Sequence, residues 1–367
     1  MENICRDVLN LCLADRPVPD SLLDQAVAID DGRQFLSVVV EHLGDLFESR
    51  LCDVYADLFT RAIKRIAPDL RPRRAQSSPP PAMADRVYVL SRITLGADVA
   101  VTSVFLDAAK RRYPEAKLFF VGPRKNYGLF EADPRVQYQE APYARSGALK
   151  DRLAASASLW FDDGIVLDPD SRLTQLGLLP VCPDVNYFYF ESRSYGGTSG
   201  ARLPDLAAQW FGDPQAKPYI APLATTSQPA QITVSLGVGE NQSKRLRDPF
   251  EADLLKLLAS TGKSILVDLG GTPEERERVQ RALQPGMRTH DGPFAPFAAA
   301  IAKSELFVGY DSAAGHVASA CGIPLISIAA GFVSPRMQAR WRPNGIVINT
   351  GNVDTIEAVR TALEKLK

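Results

Sequence analysis

The sequence has few histidines and cysteines. Among its 367 residues there are three histidines and five cysteines. Because His42, His290 and His316 lie far apart along the chain, a histidine-rich metal cluster is excluded, and a Ser/His/Asp hydrolase would depend on one of these three. The cysteines are odd in number and none has C-x-x-C spacing. We therefore expect reduced, mostly buried thiols.

A surplus of one charge and long apolar runs are also lacking. The chain has 42 lysines and arginines and 43 acidic residues, a net charge of -1, which argues against a nucleic-acid-binding protein. No apolar run approaches the roughly 20 residues that cross a bilayer. The opening MENICRDVLNLCLADRPVPD has early acidic residues and no unbroken apolar core, unlike a signal peptide. We expect a cytoplasmic protein without a transmembrane segment, and leave open a peripheral contact with a membrane.

Residues 1–68 have the apolar spacing of helices. The stripe consists of residues three and four apart, among them Leu36, Val39, Val40, Leu43, Leu46 and Phe47. We expect a helical extension that packs on the chain or joins copies into a homo-oligomer. The proline- and serine-rich PDLRPRRAQSSPPPAMAD follows, which predicts a linker over 69–84.

Strands and helices alternate in two successive halves after this linker. Buried strands such as RVYVLSRI and AKLFFVG alternate with helical segments over 85–226, and the rhythm restarts over 227–350 before a final helix at 351–367. Such alternation predicts an α/β protein with two Rossmann-like domains facing across a cleft. Ligands of such sheets bind beyond the carboxyl ends of the strands.

Two loops of the second half carry polar groups at such ends. In SLGVGENQSKRLRD, Gly237 and Gly239 allow close approach of a ligand to the backbone, and Lys244 supplies positive charge. In LGGTPEE, Glu274 or Glu275 can accept hydrogen bonds from ribose hydroxyls.

A third loop, GYDSAAGHVASACG, begins a helix. Asp311 or Ser312 can cap that helix, and small residues leave its first N–H groups uncovered. A phosphate is favoured there by unpaired donors and the helix dipole. A lysine, a helix start and a carboxylate suit a nucleoside diphosphate, and need no metal because lysine and dipole neutralise the departing charge. Each of these residues also has a simpler interpretation. Lys244 can be an ordinary solvated lysine, Asp311 only a helix cap, and His316 a buried, hydrogen-bonded histidine.

The chain resembles glycosyltransferase family 9, the ADP-heptose:lipopolysaccharide heptosyltransferases of GT-B fold, from about residue 86 to about 350. SRITLGADVAVTSVFLDAAKRRYPEAKL is similar to the family's R-x-x-x-L-G-D strand-turn-helix. SLGVGENQSKRLRD and LVDLGGTPEERERV are similar to its glycine loop and its G-x-x-x-E segment. GYDSAAGHVASACGIPLISI is similar to its D-[ST]-G-x-x-H-x-A-x-A-x-G-x-P, the most specific motif of the four.

The resemblance implies an inverting, metal-independent transferase that moves a sugar, heptose by family default, from a nucleoside-diphosphate donor such as ADP-heptose. No cofactor is implied. Asp98 matches the family's catalytic general base, which would take the proton of the acceptor hydroxyl; as an alternative, Asp98 only caps a helix. Donor-binding positions are those in the three loops of the second half: Gly237, Ser243, Lys244, Glu274, Asp311, Ser312, Ala313 and His316.

The first half is expected to bind the acceptor, a glycan, a lipid-linked glycan or a protein. Arg92, Arg193 and Tyr195 are the candidates, since arginine pairs with anions and aromatic faces stack on sugars. The same residues can be core or edge residues. The acidic pairs at 162–163 and 168–170 invite a metal-binding D-x-D interpretation, which Pro169 disfavours because it predicts a turn.

Two other functions stay open at this point. A GT-B-like nucleotide-sugar epimerase would need more acid and base groups beside the sugar. A non-catalytic module that binds sugar nucleotides would use the helical extension to recruit a partner.

Overall fold

The computed structural model describes residues 2–224, 228–239, 241–332, 334–351 and 353–366. The chain forms two compact units. Unit 1 consists of Met1–Tyr127, Arg135–Lys217 and Val333–Trp341, and unit 2 of Gly128–Pro134, Pro218–Phe332 and Arg342–Lys367. The domain boundary expected at 226–227 lies outside the described residues.

Unit 1 begins with a helical module, residues 2–66. Its helices are α1 (Glu2–Leu13), α2 (Asp20–Ala28), α3 (Glu41–Asp45) and α4 (Ser49–Ile66). A 3-10 turn (Ile29–Gly32) and a π-helical turn (Phe35–Val40) lie between α2 and α3. The apolar stripe noted in the sequence is the buried face of these helices, since Leu36, Val39 and Leu43 are each at most 2% exposed.

The first sheet of unit 1 is parallel. Its strands are β1 (Arg86–Leu90), β2 (Lys117–Gly122), β3 (Val136–Glu140), β4 (Ile165–Asp168) and β5 (Tyr187–Tyr189), in the order β3-β2-β1-β4-β5. The helices are α5 (Leu95–Ala97), α6 (Ser103–Arg112), α7 (Arg124–Tyr127), α8 (Leu149–Ala157) and α9 (Leu203–Phe211), with a π-helical turn at Asp98–Thr102 and 3-10 turns at Arg172–Thr174 and Asp184–Asn186. The strand order reverses between β1 and β4, and ligands bind at such a reversal.

The helical module shares a core with this α/β domain. Leu149 and Leu153 of α8, together with Leu178 and Leu179, lie in the same buried cluster as the module's apolar residues. The hydroxyl of Tyr55 donates to the carbonyl of Gln175 at 3.1 Å. The module is therefore an integral part of unit 1.

The expected linker at 69–84 pairs with the sheet along part of its length. The amides of Arg73 and Ala75 donate to the carbonyls of Leu178 and Gly177, each at 2.8 Å. Ser77 forms a parallel bridge with Tyr189. The segment is extended because proline disfavours helix, and its free backbone groups satisfy the sheet edge.

Unit 2 contains the second parallel sheet. Its strands are β6 (Ile232–Ser235), β7 (Ile265–Asp268), β8 (Arg288–His290), β9 (Leu306–Tyr310), β10 (Leu325–Ala329) and β11 (Ile346–Asn349), in the order β11-β10-β9-β6-β7-β8. The helices are α10 (Phe250–Ala259), α11 (Pro273–Ala282), α12 (Phe294–Ile301), α13 (Ala313–Ala320) and α15 (Thr355–Lys365), with a 3-10 turn at Gln242–Lys244. A further helix, α14 (Pro335–Trp341), comes between β10 and β11 along the chain. Here the strand order reverses between β6 and β9. The two parallel sheets with flanking helices confirm the predicted α/β class.

Helix α14 belongs to unit 1, although the sequence placed it in the second domain. Arg336 donates to the carbonyl of Phe47 at 2.8 Å, and Arg340 donates to that of Gly197 at 2.8 Å. These long-range contacts leave no local pattern in the sequence. Within the described residues, no helix has both the length and the apolar character that crossing a membrane requires.

Candidate functional site

Lys244 and Asp311 meet where the strand order of unit 2 reverses. Lys244 follows β6 and Asp311 follows β9, and these strands are neighbours in the sheet. The Lys244 Nζ lies 2.6 Å from Asp311 Oδ2 and 3.1 Å from the Asp311 carbonyl. Both side chains are mostly buried, at 17% and 8% exposure. The structure thus brings together two residues that are 67 positions apart.

A buried network holds the loop that carries Lys244. Glu251 of α10 accepts hydrogen bonds from the Tyr310 hydroxyl at 3.1 Å and from Arg245 Nε at 3.2 Å, and it pairs with Arg278. The same Tyr310 oxygen accepts from the amide of Leu246 at 3.2 Å. Because Tyr310 ends β9, the network ties the Lys244 loop to the strand that precedes Asp311.

The start of α13 presents an unused hydroxyl. Ser312 is the N-cap residue, yet its side chain makes no capping bond, and its Oγ is buried without a partner among the described residues. Ala313 is the first helical residue. His316, one turn on, is partly buried, and burial lowers the pKa of its ring, with Asp311 opposing the shift. The His316 ring and the helix N–H groups adjoin the Lys244–Asp311 pair.

Glu275, and not Glu274, connects the two remaining loops. Its carboxylate accepts from the amide of Val238 at 3.2 Å and from that of Gly271 at 3.0 Å. Gly237 lies beside the same carboxylate, and Gly270, at φ 85°, lies so close to it that a Cβ would stand 2.7 Å from Glu275 Oε2. Glu274 is exposed. The sequence analysis preferred Glu274. Two adjacent glutamates at the start of α11 do not reveal which of them faces the sheet, because that depends on the rotation of the helix about its axis.

Residues after β10 lie against the loop that carries Ser243 and Lys244. The Phe332 ring centroid is 5.5 Å from Lys244 Nζ. Gly331, at φ 69°, approaches Ser243 so closely that a Cβ would lie 2.4 Å from its Oγ. Ser243 bonds Asn241 through both its amide and its hydroxyl, at 3.1 and 2.6 Å. Of the predicted donor residues, Glu274 is the one whose place beside a backbone loop is taken by its neighbour, Glu275. Residue 240, inside the predicted glycine loop, lies outside the described residues.

In unit 1, Asp98 is buried and fully hydrogen-bonded. Its Oδ1 accepts from the Arg92 amide at 2.6 Å and from Thr102 Oγ1 at 2.7 Å. Its Oδ2 accepts from Ser91 Oγ at 2.7 Å and from Asn126 Nδ2 at 2.5 Å. Burial raises the pKa of Asp98, and these four donors oppose the rise.

Asp98 and its partners fix a strained turn after β1. Ile93 has φ 76°, a region that β-branched residues rarely occupy. Its amide donates to Ser91 Oγ at 2.8 Å, and its carbonyl accepts from Asn126 at 3.1 Å. Strain of this kind is frequent at ligand and active sites. The sequence singled out Asp98 but gave no signal for Asn126, which lies 28 residues away.

The predicted acceptor residues lie at the carboxyl ends of β1 and β5. Arg92 donates to Ser192 Oγ at 2.9 Å and to the carbonyl of Pro169, and its Nε is buried without a partner among the described residues. Arg193 donates to Asp170 Oδ2 at 3.0 Å. Tyr195 is partly exposed and packs edge-on against Phe190 at 5.4 Å. Two of the three candidates are thus held mainly by the protein itself.

The acidic stretch at 168–170 is occupied by side-chain bonds. Asp168 accepts from Thr174 Oγ1 at 2.5 Å and from the Tyr187 hydroxyl, and Asp170 accepts from Tyr189 at 2.6 Å. Burial raises the pKa of Asp168 to about 6. Over the described ranges, no three His, Cys, Asp or Glu residues are grouped to hold a metal ion.

Solved structures with a similar architecture are glycosyltransferases. E. coli heptosyltransferase WaaC, solved with ADP-2-deoxy-2-fluoro heptose, is 18% identical; the match covers 77% of this chain and 100% of that chain, with a TM-score of 0.55. A family 9 glycosyltransferase of Veillonella parvula is 17% identical, with 77% and 97% covered and a TM-score of 0.55. E. coli ADP-heptose lps heptosyltransferase II is 18% identical, with 77% and 98% covered and the same TM-score of 0.55.

The fold is that of the family 9 glycosyltransferases. This confirms the resemblance that the four sequence motifs predicted. No protein-family model and no curated protein matches the sequence. The match covers almost all of each of these solved chains. It leaves about a quarter of the present chain uncovered, which is close to the length of the segment before β1.

Proposed function

We propose that this protein is an inverting glycosyltransferase that transfers a sugar from a nucleoside-diphosphate donor to an acceptor hydroxyl. The observation that carries the proposal is the Lys244–Asp311 pair beside the start of α13, at the strand reversal of unit 2. The buried Ser312 hydroxyl, which has no partner among the described residues, adds a donor there. Amide groups, a helix dipole and one ammonium group suit a leaving diphosphate and supply its charge stabilisation without a metal.

The donor is proposed to be an ADP-sugar, with heptose as the sugar. WaaC was solved with ADP-2-deoxy-2-fluoro heptose and shares this fold. Glu275 replaces Glu274 as the proposed ribose-binding acid, because it alone adjoins Gly237. Each Glu275 oxygen that accepts one amide bond retains a lone pair for a ribose hydroxyl.

Asp98 is the proposed general base. The acceptor oxygen attacks the anomeric carbon, the bond from that carbon to the diphosphate breaks, and the hydroxyl proton passes to Asp98. A carboxyl whose pKa is raised by burial is a better proton acceptor than an ordinary aspartate. Because four donors now occupy its oxygens, one of these bonds must yield before the proton is taken.

The burial of Asp98 also favours a second function, a non-catalytic module that binds sugar nucleotides. In that case Asp98 only fixes the strained turn at Ile93. Substitution Asp98→Asn separates the two functions. A catalytic role predicts a loss of transfer of about 10²–10⁴-fold while binding of the donor is retained; a wild type that turns over no donor supports the binding module. Asp205→Asn, an exposed carboxylate, is the control.

The donor site is tested with a thermal-shift panel of ADP, GDP, UDP and dTDP. We expect ADP to stabilise the wild type most, by about 2.7 kcal/mol at 100-fold saturation. Lys244→Met should abolish the shift. The proposal fails if no nucleoside diphosphate raises the melting temperature, or if Lys244→Met binds ADP as well as the wild type.

A further inference from the structure

Helix α3 inserts Glu41 among three arginines of the α/β domain. Arg145, from the loop after β3, donates to Glu41 Oε2 at 2.8 Å. Arg152 and Arg172 lie 3.6 and 3.5 Å from Glu41 Oε1. Burial alone would raise the pKa of Glu41, but the three arginines outweigh it and lower the pKa to about 2. Glu41 is therefore ionised at neutral pH, with three positive charges around it.

Asp45, the next acidic residue of α3, lies near the same arginines. It forms no ion pair within the part of the chain that the structure describes; burial raises its pKa, and the charges of Arg172 and Arg145 oppose the rise. Three guanidinium groups thus lie within 3.6 Å of a single carboxylate, that of Glu41. Positive charge that is partly buried and not neutralised attracts an anion.

Arg172 is the member of this group whose guanidinium is least engaged. Its side chain is 20% exposed, its Nε lies 3.5 Å from Glu41 Oε1, and the side chain makes no hydrogen bond among the described residues. Arg152 is 7% exposed and donates to the carbonyl of Gly147 at 3.3 Å. Arg145 is more exposed, at 32%, but Glu41 engages it in a closer contact of 2.8 Å. The guanidinium fork of Arg172 is therefore available for a planar or tetrahedral oxyanion.

Strained backbone surrounds Arg172. Asp170, Gln175 and Leu176 have φ values of 70°, 51° and 56°. The strain is held in place by Gln175, whose side chain donates to Ser156 Oγ at 2.9 Å and whose carbonyl accepts from Tyr55 of the helical module. Several such residues in one loop are typical of ligand sites. The loop follows β4, next to β1, where the strand order reverses.

We propose that α3 and the loops after β3 and β4 form a binding site for an anionic group of the acceptor. Arg172 pairs with a phosphate or carboxylate on that molecule, and Glu41 is the resident counter-charge. That the bound molecule is the acceptor rests on the proposed function, whereas the existence of an anion site does not. The helical module, which the resemblance to family 9 does not cover, thereby takes part in substrate selection.

Titration with inorganic phosphate at constant ionic strength tests the site. The full-length protein is first saturated with ADP, so that the donor site is filled, and phosphate binding is then followed by calorimetry. We expect saturable binding in the wild type and binding about tenfold weaker in Arg172→Gln. Glu41→Gln removes the competing charge and should tighten binding about threefold. Arg202→Gln, an arginine paired with Asp205 on the surface, is the matched control and should not differ from wild type.

Opposite effects of the two substitutions are the signature, because damage to the fold would weaken binding in both. Absence of saturable binding in the wild type, or equal binding by Arg172→Gln, overturns the site. Mannose 6-phosphate and glucuronate should bind with the same dependence on Arg172, and mannose should not. If inorganic phosphate alone binds, the assignment to an acceptor is wrong. Phosphate is also titrated into Lys244→Met without ADP. Phosphate binding that persists in this variant shows that the anion site at Arg172 is intact even if the proposed donor site is wrong.

Discussion

At the scale of single residues, Glu274 and Glu275 are chemically identical neighbours with different surroundings. Glu275 is 7% exposed and bonded to two backbone amides, whereas Glu274 is exposed. A glutamine at 275 would point its NH₂ at one of those amides, and an unpaired buried donor costs about 1–3 kcal/mol. The loops at Gly237 and Gly270 depend on this one carboxylate.

We therefore predict that Glu275→Gln weakens ADP binding about tenfold and lowers the melting temperature. Glu274→Gln, which keeps the same change of charge, should alter the affinity less than twofold. Calorimetric titration of ADP into the two variants measures both effects. Equal affinities would show that Glu275 does not shape the nucleotide site.

Candidate site residues could be predicted where they directly follow a strand in a recognisable motif. Residues that reach the same place from a distant part of the sequence could not. Lys244, Asp311 and His316 were predicted in this way, and the structure pairs the first two at 2.6 Å. Asn126 and Glu41 were not, because their relation to Asp98 and Arg172 depends on packing between segments that share no local pattern. Arg193 was assigned to the acceptor, yet the structure shows it paired with Asp170.

At the scale of elements, the helical module behaves as part of one core. Phe59 of α4 is fully buried, with ring centroids 5.5 Å from Tyr55 and 6.3 Å from Phe35. The same cluster reaches α8 of the α/β domain. A cavity at Phe59 should thus weaken all of unit 1.

Accordingly, Phe59→Ala should destabilise unit 1 by about 3–5 kcal/mol. All three tryptophans of the chain, at 160, 210 and 341, lie in unit 1, so that urea unfolding followed by tryptophan fluorescence reports this unit alone. Leu13→Ala, at a position 39% exposed, should shift the transition by less than about 0.5 kcal/mol. An unchanged fluorescence transition in Phe59→Ala would mean that the module unfolds independently.

Elements with a continuous apolar core could be predicted from the sequence, and short edge strands could not. The strands β1, β2, β6, β7, β9 and β10 were each visible as buried runs. β3 (VQYQE) and β8 (RTH) are edge strands with few buried residues. Their pairing comes from the backbone of the neighbouring strand, which side-chain periodicity does not reveal.

At the scale of the whole molecule, buried carboxyl groups make the stability depend on pH. Burial raises the pKa of Asp168 to about 6, above the value of about 3.9 in an unfolded chain. Between about pH 7 and pH 4 the native protein therefore binds a proton that the unfolded chain does not. The free energy of unfolding contributed by this group rises as the pH falls through that range.

We predict that the wild type gains about 1–3 kcal/mol relative to Asp168→Asn between pH 7.5 and pH 5. Asparagine carries no titrating proton, so the difference between the two proteins isolates Asp168 from other groups, such as His316. Urea unfolding at several pH values measures it. A difference that is constant with pH would contradict the raised pKa, and the exposed Asp205→Asn should track the wild type throughout.

The α/β fold of the chain after residue 85 followed from its alternating strands and helices, because parallel sheets with crossover helices have few other arrangements. The function does not follow to the same depth. At 17–18% identity, the matched glycosyltransferases share architecture with this chain, while the bound sugar and the acceptor are decided by individual side chains.

Because helix α14 belongs to unit 1, this unit cannot finish folding early in translation. The residues of α14 emerge from the ribosome after the Pro218–Phe332 segment of unit 2, yet Trp341 stacks on Arg92 at 5.6 Å and Arg340 donates to the carbonyl of Gly197. Unit 1, whose synthesis begins first, is thus completed only after most of unit 2 has been synthesised. A nascent chain stalled before residue 335 would leave Arg92 uncovered, even with every strand of the first sheet already outside the exit tunnel.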